Sequence, residues 1–445
     1  MQMKRGSWVA VIIALGLATI GTTSLLSGCG ASMPLTPVTS VPVGFEGRLL
    51  VTSDADQIGT SYADGYIAAG RARDALTRLG RGKDGRMEVD GVVEVSNSVI
   101  SWPRIIAVSP DGRFAYVAET RGQITKPTEK VDDVWTDLPN GTNVSVVELG
   151  DTPRVVQQQA LAVNPNALSL NFDGTLLALT SKETGGELVI AKLVDGLIVS
   201  STKHPVAGMR KGNYGGVASV EFHPSKNTLA VNVNCTDVAI VDVTSDGAKT
   251  SEVGRLPAVA RLWSMARWTP DGRHVLLSDV GWGYGTLDAA TNDPGEIVSV
   301  RVGPPLAVVS RAKVGLSPEG FDLSPDGSLA VTSNMRRTYL PNGLPYCLFG
   351  ARDRPSLAVV RVDPATGVLT RAGGEYGFDG ELPEDVAFDD TGKWLAVAIF
   401  NERHDRDPKN GFVEFWRVDG DRLVRTDTRL PVTRGAHTLR RISKR

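Results

Sequence analysis

The sequence predicts an all-β chain, a seven-bladed β-propeller of four-stranded blades whose ring is closed by the C-terminal strand joining the N-terminal blade. Three observations lead there. A turn-plus-strand unit recurs seven times, further apolar strands follow most copies, and one chain end carries a strand that the other lacks.

The unit is plainest in S-P-D-G-R-F-A-Y-V-A (109–118), T-P-D-G-R-H-V-L-L-S (269–278) and S-P-D-G-S-L-A-V-T-S-N (324–334). Looser copies are E-G-R-L-L-V-T-S (46–53), N-F-D-G-T-L-L-A-L-T-S (171–181), H-P-S-K-N-T-L-A-V-N-V (223–233) and D-D-T-G-K-W-L-A-V-A (389–398). The Gly, or Lys226 in its place, stands at 47, 112, 174, 226, 272, 327 and 392, at intervals of 65, 62, 52, 46, 55 and 65 residues. Pro presets φ for a turn, Asp bonds its own backbone two residues on, and Gly supplies positive φ. With apolar runs on both sides, each copy reads as a hairpin.

Later strands are expected at 187–193, 238–243, 296–302, 356–362 and 411–418, with closing runs such as 306–312. In the first unit, A-R-D-A-L-T-R-L-G (72–80) fits helix or strand. That unit also has no inner strand before its turn. The C-terminal G-A-H-T-L-R-R-I-S (435–443) is expected to supply it, which removes a free sheet edge.

The first residues read as an address. Lys4 and Arg5 precede an apolar stretch from Trp8 to Ile20, and then comes Leu26-Ser27-Gly28-Cys29. A basic start, a short apolar core and small residues before a cut describe a secretory signal, here expected over 1–28. The last four residues resemble the bacterial lipobox, in which the Cys is lipidated (a palmitate among its acyl chains) and becomes the first mature residue. The alternative is a buried Cys at the end of an ordinary signal. Lipidation at Cys29 implies a lipid-anchored protein of the cell envelope, facing the periplasm or the exterior. Residues 29–44, rich in Pro, Ser and Thr, are expected as a flexible tether, and 45–445 as the propeller.

Composition limits the function classes. The 48 Lys and Arg against 50 Asp and Glu give no electrostatic case for nucleic acid. Five His and three Cys leave little for a metal centre, and no cofactor is expected. There is no G-x-S-x-G, H-E-x-x-H or C-x-x-C. Cys235 and Cys347 are the thiols outside the lipobox, free or paired.

On these repeats the chain resembles the YVTN-repeat propellers of bacteria and the neighbouring lactonase-like propellers (6-phosphogluconolactonase and muconate-cyclising types). The resemblance covers nearly the whole mature chain. It implies a fold far more than an activity.

In a propeller the S-P-D-G turns lie on one face and the long loops on the other, so the turn aspartates read as structural. The long loops are 120–141, 281–295, 334–355 and 401–411, holding Trp282, Tyr284, Arg336, Arg337, Arg403 and His404 as candidate ligand-binding residues. They suit an envelope protein, a glycan or a small polar ligand, or they are simply solvated surface. Aligned backwards from the turn, one inner-strand position is Arg104, Asn166, Ala218, Ser264, Glu319, Glu384 and His437. Glu319, Glu384, His437 and Arg104 form a charged arc, with Asn166 and Ser264 as further candidates for ligand contact. The arc allows an ion cluster, a polar ligand site, or lactone hydrolysis with acid–base carboxyls and an Arg on the oxyanion. The lactonase-like propellers use Arg, Glu and His in this channel, which favours the last as the alternative to a binding scaffold.

Overall fold

The computed structural model describes residues 33–55, 73–97, 104–123, 137–212, 215–283, 291–339, 354–403 and 409–442. Every regular element among them is a strand. The strands form seven sheets, each built on four antiparallel strands, and one of them gains a fifth strand that pairs parallel at its outer edge. From blade 1 to blade 7 the inner strands are Ala436–Ile442, Ile106–Val108, Leu168–Leu170, Val217–Phe222, Trp263–Trp268, Pro318–Leu323 and Val386–Phe388. The closing strand is the C-terminal one, as expected: Ala436–Ile442 pairs antiparallel with Arg48–Ser53 of blade 1. The ambiguous run at 72–80 is the strand Ala75–Arg81, held between Arg48–Ser53 and Met87–Glu94.

The core lies between blades. One apolar cluster fills each junction, such as Leu50, Leu76, Ile106 and Val117 between blades 1 and 2, and Phe45, Leu79, Phe415 and Leu439 between blades 7 and 1. Each strand alternates sides, so both faces of every sheet are apolar and each sheet needs a neighbour on both sides. A closed ring meets that demand without end caps.

The S-P-D-G turns are structural, and they do more than reverse the chain. In blade 2 the Ser109 hydroxyl donates to the Asp111 carboxylate at 2.6 Å, and the Arg113 N–H donates to the same oxygen. Thr269/Asp271 and Ser324/Asp326 repeat the pattern. Burial pushes these carboxyls up, but the hydroxyl and amide donors outweigh it and hold them below the usual range. All but one of the motif glycines also sit on the preceding blade's turn, and Gly112 meets Ile442 of the closing strand instead. A Cβ on Gly174 would fall 2.8 Å from Pro110, and one on Gly327 would fall 2.6 Å from Pro270. The Pro and Gly of one motif therefore serve two different junctions.

One expectation needs correction. From Met33 onward the segment expected as a flexible tether is part of the ring. Leu35 bridges Gly377 of blade 6, and Val38–Thr39 pairs parallel with Arg425 and Thr426 on the outer strand of blade 7. Val43 and Phe45 are buried at the junction of blades 7 and 1. Pro, Ser and Thr suit an edge strand as well as a tether, since an edge leaves alternate N–H groups unneeded. The signal region 1–28 and Cys29 lie outside the described residues. No helix among the described residues is long and apolar enough to cross a membrane.

The turn contact can be isolated. Gly327→Ala and Gly85→Ala both place Cβ at positive φ, 73° and 79°, but only Gly327 meets a neighbour. Chemical denaturation is expected to show Gly327→Ala less stable than Gly85→Ala by about 1–3 kcal/mol.

Candidate functional site

The inner strands carry two layers of polar residues. The upper layer, at the mouth on the long-loop side, is the one read from the sequence. Glu319, Glu384, His437, Arg104, Asn166 and Ser264 are all buried there. They do not converge.

Glu319 and Glu384 do come together. A Cβ on Gly320 would lie 2.0 Å from the Glu384 carbonyl oxygen, so a bare glycine lets the two inner strands approach. Burial, and then the charges of Glu384 and Asp385, raise the Glu319 carboxyl well above its usual range. Burial also pushes Asp385 up to about 7, opposed by Arg440 and Arg267. Asp385 accepts the backbone N–H groups of Val386 and Leu439 at 3.0 Å and lies 3.4 Å from Arg440 Nη1.

His437 turns away into blade 1. Its Nε2 lies 3.1 Å from Asn97 Oδ1, and the Asn97 amide nitrogen donates to two backbone carbonyls, so that oxygen is an acceptor. Nε2 therefore carries the proton, and Nδ1 accepts from the Thr438 hydroxyl at 2.9 Å. Burial drives its pKa down to about 3. Neutral, with both nitrogens engaged, it is a brace for the closing strand rather than a base. Arg104 is also diverted, pairing with Glu221 of blade 4. Ser264 donates to the Glu319 carbonyl at 2.6 Å and stitches blade 5 to blade 6. The expected catalytic arc is thus an acid pair, a structural histidine and an arginine committed elsewhere. Asn166 is buried, and its backbone N–H donates to the Thr180 hydroxyl.

The lower layer was not read from the sequence. Three residues further along each inner strand than the mouth position stand Arg440, Ala107, Ser169, Glu221, Arg267, Asp322 and Ala387. Its charges pair across blades: Arg267 with Asp322 at 3.2 Å, Arg440 with Asp385, and Glu221 with Arg104. Four charged residues among seven aligned positions was the available signal.

The long-loop face holds a second cluster at the junction of blades 5 and 6. Trp282 stacks on Tyr339 with ring centroids 4.9 Å apart. The Ser317 hydroxyl gathers Trp282 Nε1 at 2.9 Å, the Asn292 amide at 3.1 Å and the Tyr339 hydroxyl at 3.2 Å. Asn292 in turn accepts from Arg337 through its side-chain and backbone oxygens. Arg336 pairs with Glu375 at 3.1 Å. Both arginines have positive φ, 58° and 138°, a rare placement for two successive non-glycine residues. Trp282 remains partly exposed and borders a small apolar patch of Ala218, Cys235, Leu262 and Val280. Cys235 is a free buried thiol whose pKa burial pushes up to about 12, and Cys347 lies outside the described residues. Arg403 is partly exposed, 3.8 Å from Asp379. Tyr284 and His404 lie outside the described residues. Sequence reading found Trp282, Arg336 and Arg337 but not Ser317 or Asn292, which join them only through the fold.

No family model matches the chain, and no curated protein matches it. Solved structures do. The fold is similar to a candidate 6-phosphogluconolactonase from Bacteroides fragilis (TM-score 0.61, 15% identity, covering 91% of this chain and 100% of that one). It is similar to the periplasmic gluconolactonase of Pseudomonas aeruginosa (TM-score 0.60, 18% identity, 89% and 99% covered). A functionally unknown protein from Desulfotomaculum acetoxidans also aligns (TM-score 0.57, 9% identity, 89% and 99% covered). At these identities the likeness is one of fold.

The acid pair has a pH signature. Glu319 keeps its proton in the folded state to a higher pH than in the unfolded chain. Stability from this group is therefore full below the ordinary carboxyl pKa and lost as pH rises through the folded value. Glu319→Gln removes the loss and is expected to raise Tm at pH 8 by about 2 °C relative to wild type, with little change at pH 4. Thermal melts at the two pH values check this.

Proposed function

We propose that this protein is a lipid-anchored component of the cell envelope whose propeller binds a partner on its long-loop face, at the blade 5–6 junction. A glycan is the chemistry that fits best. The observation that carries the reading is the strained Arg336–Arg337 corner held beside the partly exposed Trp282. Backbone strain of this kind persists where surrounding contacts over-determine it, and it gathers at binding sites. A flat aromatic face beside guanidinium donors matches the apolar face and hydroxyls of a sugar ring.

Lactone hydrolysis is the second reading, drawn from the named activities of two fold neighbours. The mouth offers it a buried acid pair, but neither the histidine nor the arginine stands ready to assist.

Three measurements test the proposal. Glycan-array binding by the full-length, detergent-solubilised protein is expected to weaken about thirtyfold in Trp282→Ala, the equivalent of about 2 kcal/mol, with Tm nearly unchanged. Glucono-lactone and 6-phosphogluconolactone are expected to hydrolyse at the uncatalysed rate, whereas a faster rate abolished by Glu384→Gln would establish the enzyme instead. Cys29→Ser is expected to move the protein from the membrane to the soluble fraction, and retention in the membrane overturns the anchor.

A further inference from the structure

The point where the chain enters the propeller lies at the rim of the long-loop face, between blades 6 and 7. Thr36 N–H donates to the Gly377 carbonyl at 2.9 Å, and Arg354 Nη1 donates to the Met33 carbonyl at 3.3 Å. Gly377 ends the outer strand of blade 6, and Arg354 directly precedes Ser356–Val362, so both belong to the long-loop side. Cys29 precedes Met33 by four residues. Four residues span at most ~14 Å even when fully extended. The tether that composition suggests is therefore nearly all consumed by the fold.

The surroundings of that entry suit a phosphate-bearing surface. Three guanidinium groups gather about one residue, Asp379. Arg354 Nε lies 3.1 Å from Asp379 Oδ1, Arg403 Nε lies 3.8 Å from the same oxygen, and Arg429 Nη1 donates to the Asp379 carbonyl at 3.2 Å. All three are partly exposed. Glu402 acts on Arg429, and Glu414, buried in a bidentate pair with Arg425, also lies 4.0 Å from Arg429. Three partly exposed guanidinium groups thus cluster at the rim, where phosphates can compete for their donors. Leu35, which bridges Gly377 at this rim, is 40% exposed.

We propose that this rim rests on an anionic membrane surface, with Arg354, Arg403 and Arg429 against lipid phosphates and Leu35 turned to the interface. The proposal rests on lipidation at Cys29. A lipid on a short leash brings the rim to the headgroups, and arginines with an exposed aliphatic residue form the second contact that fixes orientation. The propeller is then held in one attitude, its S-P-D-G face away from the bilayer.

The test uses the full-length lipidated protein in vesicles with about 30% phosphatidylglycerol. Cys347→Ser removes a competing thiol, and Cys235 is too deeply buried to label. A fluorophore is placed on Leu35→Cys at the rim or on Asp246→Cys in a bottom turn of blade 4, and headgroup spin-labelled lipid is the quencher. The expected result is about fivefold stronger quenching at 35 than at 246, reduced in Arg403→Glu and in vesicles of phosphatidylcholine alone. Equal quenching at both positions overturns the proposal while leaving the anchor intact. Protein that fails to float with vesicles and carries no acyl mass overturns the anchor reading, and the proposal with it.

Discussion

A Cβ on Gly327 would lie 2.6 Å from the ring of Pro270, and the same meeting of turn glycine with the preceding turn recurs around the bottom of the propeller. The rest of the architecture hangs on this contact. It sets the spacing of adjacent blades at the narrow end, where sheets are closest, and the apolar clusters fill outward from it. Where the motif lacks a part, another contact stands in. Blade 4 has His223 in the Ser position, and its ring lies against Gly272 with Nε2 3.2 Å from the Gly272 carbonyl. The bottom face is thus defined by its fit, and chain length has gone to the other side.

The fold was legible because its signal is repeated. Turn chemistry, strand period and blade count agree at seven places, and the spare C-terminal strand fits the vacancy in blade 1. The site was less legible, for reasons visible in particular residues. His437 occupies the aligned mouth position, yet Asn97, from an unaligned stretch after the outer strand of blade 1, fixes its protons. Arg104 aligns with the acids but is long enough to reach Glu221 two blades on. Asp385 stands one residue beyond the aligned mouth position, in the place of Ile105 and Ala167, so a comparison of mouth residues alone passes over it. Alignment says which strand position a residue occupies, but long side chains choose partners by reach. The segment after Cys29 shows a further limit, since composition alone does not separate an edge strand from a tether.

The channel and the upper face differ in physical character. In the channel, opposite charges pair across blades and the surplus carboxyls are raised by burial toward neutrality, which suits an interior that must exclude uncompensated charge. On the upper face, Ser317 holds three partners and a pair of arginines bends the backbone into left-handed conformations, the work of a surface with a shape to keep. The same face carries the rim where the chain enters.

The pairing of Arg48–Ser53 with Ala436–Ile442 also has a meaning in time. Thr52 and His437, neighbours in the finished sheet, are 385 residues apart in the chain. Blade 1 begins synthesis first and is completed last, when the final residues arrive. Until then its sheet has a bare edge, and blade 7 has no neighbour on one side. Such long-range closure makes folding late and slow. A ring built this way cannot lock until its last strand is delivered, so the whole chain must be present before every blade has both of its neighbours.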